Sequence, residues 1–135
     1  MQLMGCVHHF GRAQAIEACS IIEEAAAGLA AGRLIERRSI ELAENLAEIY
    51  ASVLSGEDFM SHEMRFLRLV AESSRNQVLV AVTDMIAAIL FSSPKGALRT
   101  SEQRRAAADR HHEIYKAIRA GRREELGRRR KSSSQ

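Results

Sequence analysis

The chain has 135 residues, a formal charge of +3, 46% apolar residues, 4% aromatics, no Trp and one proline, Pro94. That length suffices for one domain around one core, and a mixture rich in Ala and Leu favours helices over strands, so the expected class is all-α. Two cysteines, Cys6 and Cys19, exclude a disulfide framework or a zinc cluster and point to a reducing cytoplasm, while no apolar run approaches membrane-spanning length.

Residues 1–12, "MQLMGCVHHFGR", lack the basic n-region and sustained apolar stretch of a signal peptide, and are expected to be a poorly ordered leader that includes His8 and His9. The first helix is expected from Ala13 to about Ala31, with Ile16, Cys19, Ile22 (or Ile21), Ala26 and Leu29 at helical spacing. After "GRLIERR", Ser39 is a candidate N-cap for a second helix carrying Leu42, Leu46, Ile49 and Val53, which Gly56 can end. Ser55 to Asp58 has the outline of a weak capping box for a third helix that runs to about Ser73. Asn76 is a good N-cap for a fourth, "QVLVAVTDMIAAILF", with Leu79, Val82, Ile86 and Ile89 on one stripe.

"SSPKGALR" breaks the pattern, as Pro and Gly should. Thr100 and Gln103 form a T-x-x-Q capping box for a long helix ending at Gly121. A last basic helix is expected over Arg122–Arg130, followed by a disordered tail over 132–135. With no repeat and no internal boundary, residues 13–131 read as one antiparallel bundle of about six helices. The basic excess gathers in "RAGRREELGRRRK", where Arg128, Arg129, Arg130 and Lys131 either decorate a helix end or contact nucleic acid without specificity.

Two polar residues fall where apolar ones belong. On the long helix, Ala107, His111, Ile114 and Ile118 share a stripe, so His111 points inward and His112 turns toward solvent. On the third helix, Glu63 lies amid Phe59, Phe66 and Val70. A lone buried carboxylate is expensive, so the economical arrangement pairs Glu63 with His111, as a hydrogen-bonded pair, a metal site or the polar floor of a ligand pocket. The plain alternatives are a satisfied core histidine and a glutamate that reaches solvent at the bundle edge. Asp58 and His62, four apart on one helix, compete as a metal pair, although Asp58 also suits the helix dipole.

"MRFLRLVAESSRNQVL" (64–79) resembles the "aFHraLaeaSGNpvL" signature of the FCD domain, the effector-binding and dimerisation domain of FadR-type GntR-family transcriptional regulators. "RHHEIYKAIRAG" resembles that domain's "eHraIydAIrAGD", and "AIEACSIIEEAAAGLAAGR" its opening "fEaRrliEpeaAalAAeR". The resemblance implies a helical bundle that forms a homodimer and holds a small carboxylate effector at its centre, often beside a divalent metal bound by an Asp and three His. Carried over by position, the family's Asp is Glu63, its first His is Leu67, its second His is His111 and its last His falls at about Ser133. An Arg that can meet the effector's carboxylate corresponds to Cys19. The ligand-binding candidates are therefore Glu63, His111, Cys19 and Leu67.

Glu63 and His111 alone make an incomplete site for zinc, manganese or nickel, since stable sites use three or four ligands. Family members also place a winged helix-turn-helix before this domain, and twelve leader residues cannot form one. The expectation is a sensor domain, not an enzyme, that reaches DNA only through a winged-helix domain outside this sequence. The alternative is a degenerate bundle without an effector, serving as an interaction module or a non-specific nucleic-acid binder through its tail.

Overall fold

The computed structural model describes residues 11–92 and 99–133. Five helices and no strand make up the described residues: α1 (Arg12–Arg33), α2 (Glu36–Ala51), α3 (Gly56–Ser73), α4 (Gln77–Leu90) and α5 (Ser101–Ser133). The class is all-α as expected, with five helices instead of about six. The expectations for the leader at residues 1–10, for the break around Pro94 and for the last two residues of the tail lie outside the described residues.

The missing helix boundary is at Gly121, which was expected to end the long helix. Instead α5 runs through it to Ser133, so 122–130 is not a separate helix and residues 132 and 133 continue its backbone. The physical reason is packing. A Cβ at Gly121 would lie 2.3 Å from the Ala31 Cβ, so the absent side chain lets α5 approach α1 closely there. Arg122 Nε then donates to the Leu34 carbonyl at 3.1 Å, tying the same crossing to the end of α1.

Two other boundaries differ from expectation. The second helix starts at Glu36, with Ile35 as N-cap, not at Ser39. It ends at Ala51, and Gly56 opens α3 instead of closing α2. Ser55 stands at the N-cap of α3 but bonds no backbone N–H there; its hydroxyl donates to Asp58 at 3.1 Å. The two strong signals do hold. Asn76 accepts from the N–H groups of Val78 and Leu79, and the Thr100–Gln103 box closes in both directions at 2.9 and 3.1 Å.

The α2 stripe of Leu42, Leu46 and Ile49 is buried as read, with Val53 buried just past its end, and so is the α3 stripe of Phe59, Glu63, Phe66 and Val70. They meet Ala26, Ala30, Ala108 and Ile118 in the main core. The α1 and α4 stripes are turned from the expected lines. On α1, Ala15, Glu23, Ala26 and Ala30 are buried while Ile16 and Ile21 are exposed. On α4, Val80, Thr83, Ile86, Ala87 and Leu90 are the buried residues. Both helices offer apolar residues on more than one face, so periodicity alone does not fix which face turns inward.

Arginines fasten helix ends across the fold, satisfying carbonyls that helices leave unpaired at their C-termini. Arg12 donates to the Leu90 carbonyl at 3.0 Å and Arg33 to that of Ser74 at 2.9 Å. Arg104, buried at the start of α5, donates to the carbonyls of Val53 and Arg99. These bonds tie the α4 C-terminus to the start of α1, the end of α1 to the end of α3, and the entry to α5 to the connection before α3.

Candidate functional site

α3 carries Glu63 on the same face as Phe59 and Phe66, and packing of those rings holds the carboxylate inside at 5% exposure. α5 brings His111 to it at 1% exposure, with the imidazole tilted against Phe66 at a centroid separation of 4.7 Å. His111 Nε2 lies 3.0 Å from Glu63 Oε2. Just before α5, Arg99 reaches in over the Phe59 ring and donates to Glu63 Oε1 at 2.7 Å and to Oε2 at 3.4 Å. The two residues that each interrupt an apolar stripe, one on α3 and one on α5, are therefore adjacent in space, and a third, cationic group completes the cluster.

Burial pulls the Glu63 carboxyl toward the neutral form. Hydrogen bonds from His111 and Arg99, together with the Arg99 charge, outweigh that and hold it below its ordinary value of 4.5. An ionised carboxylate only accepts hydrogen bonds, so His111 donates from Nε2. In the neutral ring that leaves a lone pair on Nδ1.

Facing Nδ1 is a residue that the sequence reading did not single out. Glu23 of α1 is 9% exposed, and its Oε2 lies 3.9 Å from His111 Nδ1, beyond hydrogen-bond distance. Both atoms are buried without a hydrogen-bond partner. Burial raises the Glu23 carboxyl above its ordinary 4.5, opposed by the charges of His111 and Arg110. Its signal in the sequence was the one that revealed Glu63. Glu23 stands four after Cys19 and three before Ala26, an acid in phase with the core. Arg99 offered no such signal, because it sits in a non-helical connection.

These groups line a cavity of about 320 Å³, walled also by Arg12, Cys19, Leu67 and Arg110. Cys19 and Leu67, candidates by position, thus stand at the cavity, Leu67 as a buried apolar wall. The Cys19 thiol is pushed up to about 11 by burial and by the Glu23 charge, so it stays protonated at neutral pH and is no activated nucleophile.

Other candidates are not brought together. His62 pairs with Glu48 of α2 at 3.0 Å, while Asp58 accepts from Ser55, so Asp58 and His62 serve separate local contacts. His112 is exposed and stacks edge-on against Tyr50. Arg128 and Arg129 pair with Glu125 on α5, with Arg130 and Lys131 exposed beyond them.

A divalent metal does not suit the donor set. Both Glu63 oxygens already take donors from Arg99 and His111, and position 67 is an alkyl side chain. Ser133 lies on the same continuous helix as His111, about 33 Å along its axis. Among the described residues, no group of three or more His, Cys, Asp or Glu is placed to hold an ion.

The sequence pattern of the FCD domain matches residues 14–130, nearly the whole described chain. The chain belongs to the FCD domain family. No curated protein and no solved structure matches it. Within this FCD domain the cavity is lined by residues of α1, α3, α4 and the first turns of α5, and no described helix is long and apolar enough to cross a membrane.

Proposed function

We propose that this FCD domain is the ligand-sensing and dimerisation part of a GntR/FadR-type transcriptional regulator. It binds a small organic acid in the cavity beside Glu63 and His111. One observation carries the reading: a cavity of about 320 Å³ whose walls present Arg12, Arg99 and Arg110 above a buried Glu63–His111 pair. That volume suits a small metabolite, and convergent guanidinium groups suit a carboxylate. Occupancy would bias the bundle between conformations and so shift the spacing of DNA readers joined to it. Among the described residues, no activated nucleophile or oxyanion hole stands beside the pair, so the geometry lends catalysis no support.

The test is a thermal-shift screen against small carboxylates, with and without zinc, manganese and nickel. At least one acid raises the melting temperature without added metal, and the shift disappears in His111→Ala. A screen in which no acid moves the wild-type melting temperature contradicts the reading.

For the dimer, the supporting feature is an outward line on α4 where Val78 is 71% and Met85 45% exposed, with half-buried Val82 and Ile89 in the same row. A second copy would cover this line. Sedimentation should show a dimer that Val78→Glu converts to monomer. A wild-type monomer at high concentration contradicts the pairing.

A further inference from the structure

The gap between Glu23 and His111 is the least settled place in the interior. Glu23 and His111 both line the cavity, and their buried Oε2 and Nδ1 atoms, each without a hydrogen-bond partner, stand 3.9 Å apart. Leaving two such atoms unsatisfied costs stability, and side chains of this kind persist where something else completes them. A single oxygen atom can sit within about 2.8 Å of both.

We infer that the effector is a hydroxy acid whose hydroxyl bridges Glu23 Oε2 and His111 Nδ1 while its carboxylate meets the cavity's arginines. This rests on the sensor reading above and narrows its ligand class.

The hydrogen-bonding logic follows from His111 Nε2, which is committed to Glu63. With one proton shared between them, the Glu23–His111 pair presents one donor and one acceptor, whichever residue holds it. If the ring is neutral, its Nδ1 accepts and the Glu23 carboxylic acid donates. If the ring is charged, Nδ1–H donates and the Glu23 carboxylate accepts. A hydroxyl supplies one of each and satisfies both arrangements. A methylene supplies neither, and a keto oxygen accepts only. An ammonium donates only, so it leaves the pair's own donor without an acceptor.

The carboxylate has a place nearby. Arg110, beside His111 on α5, lines the same cavity and acts on Glu23 through its charge. Arg12 stands at the wall with Nη1 held by the Leu90 carbonyl, a fixed guanidinium with further N–H groups. Anion and hydroxyl are thus recognised by different side chains of α1 and α5, which discriminates a hydroxy acid from a plain acid of the same size.

Calorimetric titration in the presence of EDTA compares matched acids that differ at one carbon: propionate, lactate and alanine, then succinate, malate and aspartate. In at least one set the hydroxy acid binds about tenfold or more tightly than its deoxy partner. In Glu23→Leu, checked for folding by circular dichroism, the ratio falls toward one. Acids that bind wild type with no hydroxyl preference overturn this inference alone, and the gap is then a site for structural water. Preference for the amino acid, or a hydroxyl preference that survives in Glu23→Leu, overturns it as well. If no acid of either set binds wild type, the sensor reading falls and this falls with it.

Discussion

Glu63 on α3 and Glu23 on α1 are the same side chain at similar depth, on either side of one imidazole, and their surroundings drive them in opposite directions. Glu63 takes hydrogen bonds from His111 and Arg99, so its charge is worth keeping and its carboxyl titrates below 4.5. Glu23 receives no bond at Oε2 and meets charge only at a distance, so burial dominates and its carboxyl is raised. Burial alone therefore does not say what an interior acid is for; the number of donors reaching it does. The satisfied acid organises the site, and the unsatisfied one faces the cavity.

The largest expected effect separates the two by substitution. Glu63→Leu removes the carboxylate that accepts from both His111 Nε2 and Arg99 and leaves the buried imidazole N–H unsatisfied, and should cost about 3 kcal/mol in urea denaturation. Glu23→Leu removes a buried carboxyl group whose Oε2 takes no hydrogen bond and meets opposite charge only at a distance, and should stabilise the apo protein by about 1 kcal/mol at neutral pH. Equal losses from both changes would erase the contrast between the two sites.

A smaller effect is the pH dependence. Glu63 has a folded value below its unfolded one, so its contribution is present above about pH 4.5 and is lost as pH falls through the folded value. Glu23 has a raised folded value, so its penalty is absent below about 4.5 and grows as pH rises toward the folded value, then levels. The stability advantage of Glu23→Gln over wild type should therefore widen as pH rises from 4.5, while the deficit of Glu63→Gln should shrink as pH falls below it. Denaturation midpoints across that range report both slopes, and parallel profiles for the three proteins would contradict the assignment.

The smallest expected effect is a control remote from both acids. Arg75, between α3 and α4, is held at φ 57, in the left-handed region, with its side chain exposed. Arg75→Gly should stabilise by about 0.5–1 kcal/mol without changing either pH slope. A destabilised variant would mean that the Arg75 side chain carries a contact worth more than the strain.

Glu63 and His111 were legible in the sequence because an acid and an imidazole interrupt otherwise apolar stripes on α3 and α5. Glu23 carried the same kind of signal but sat on α1, whose apolar residues spread over several faces. The reading followed Ile16, Cys19 and Ile22 (or Ile21), of which the structure exposes Ile16 and Ile21 and half-buries Cys19 and Ile22, and so missed the acid in phase with Ala26 and Ala30. Arg99 had no periodic context. Its position depends on long-range contacts with Glu63 and the Phe59 ring of α3, which local sequence does not announce. Gly121 looked like a terminator because glycine serves ends and close crossings alike, and only Ala31 beside it shows which role applies. Local signals with one physical meaning, such as the Asn76 cap and the Thr100–Gln103 box, carried over directly.

The most direct test is an NMR titration of the side-chain carboxyl carbons of Glu23 and Glu63, each assigned by its Gln variant. Glu63 should titrate below 4.5 and Glu23 above it, in the same folded protein. Coincident midpoints near 4.5, or the reverse order, would contradict the division between an acid held by its partners and an acid facing the ligand.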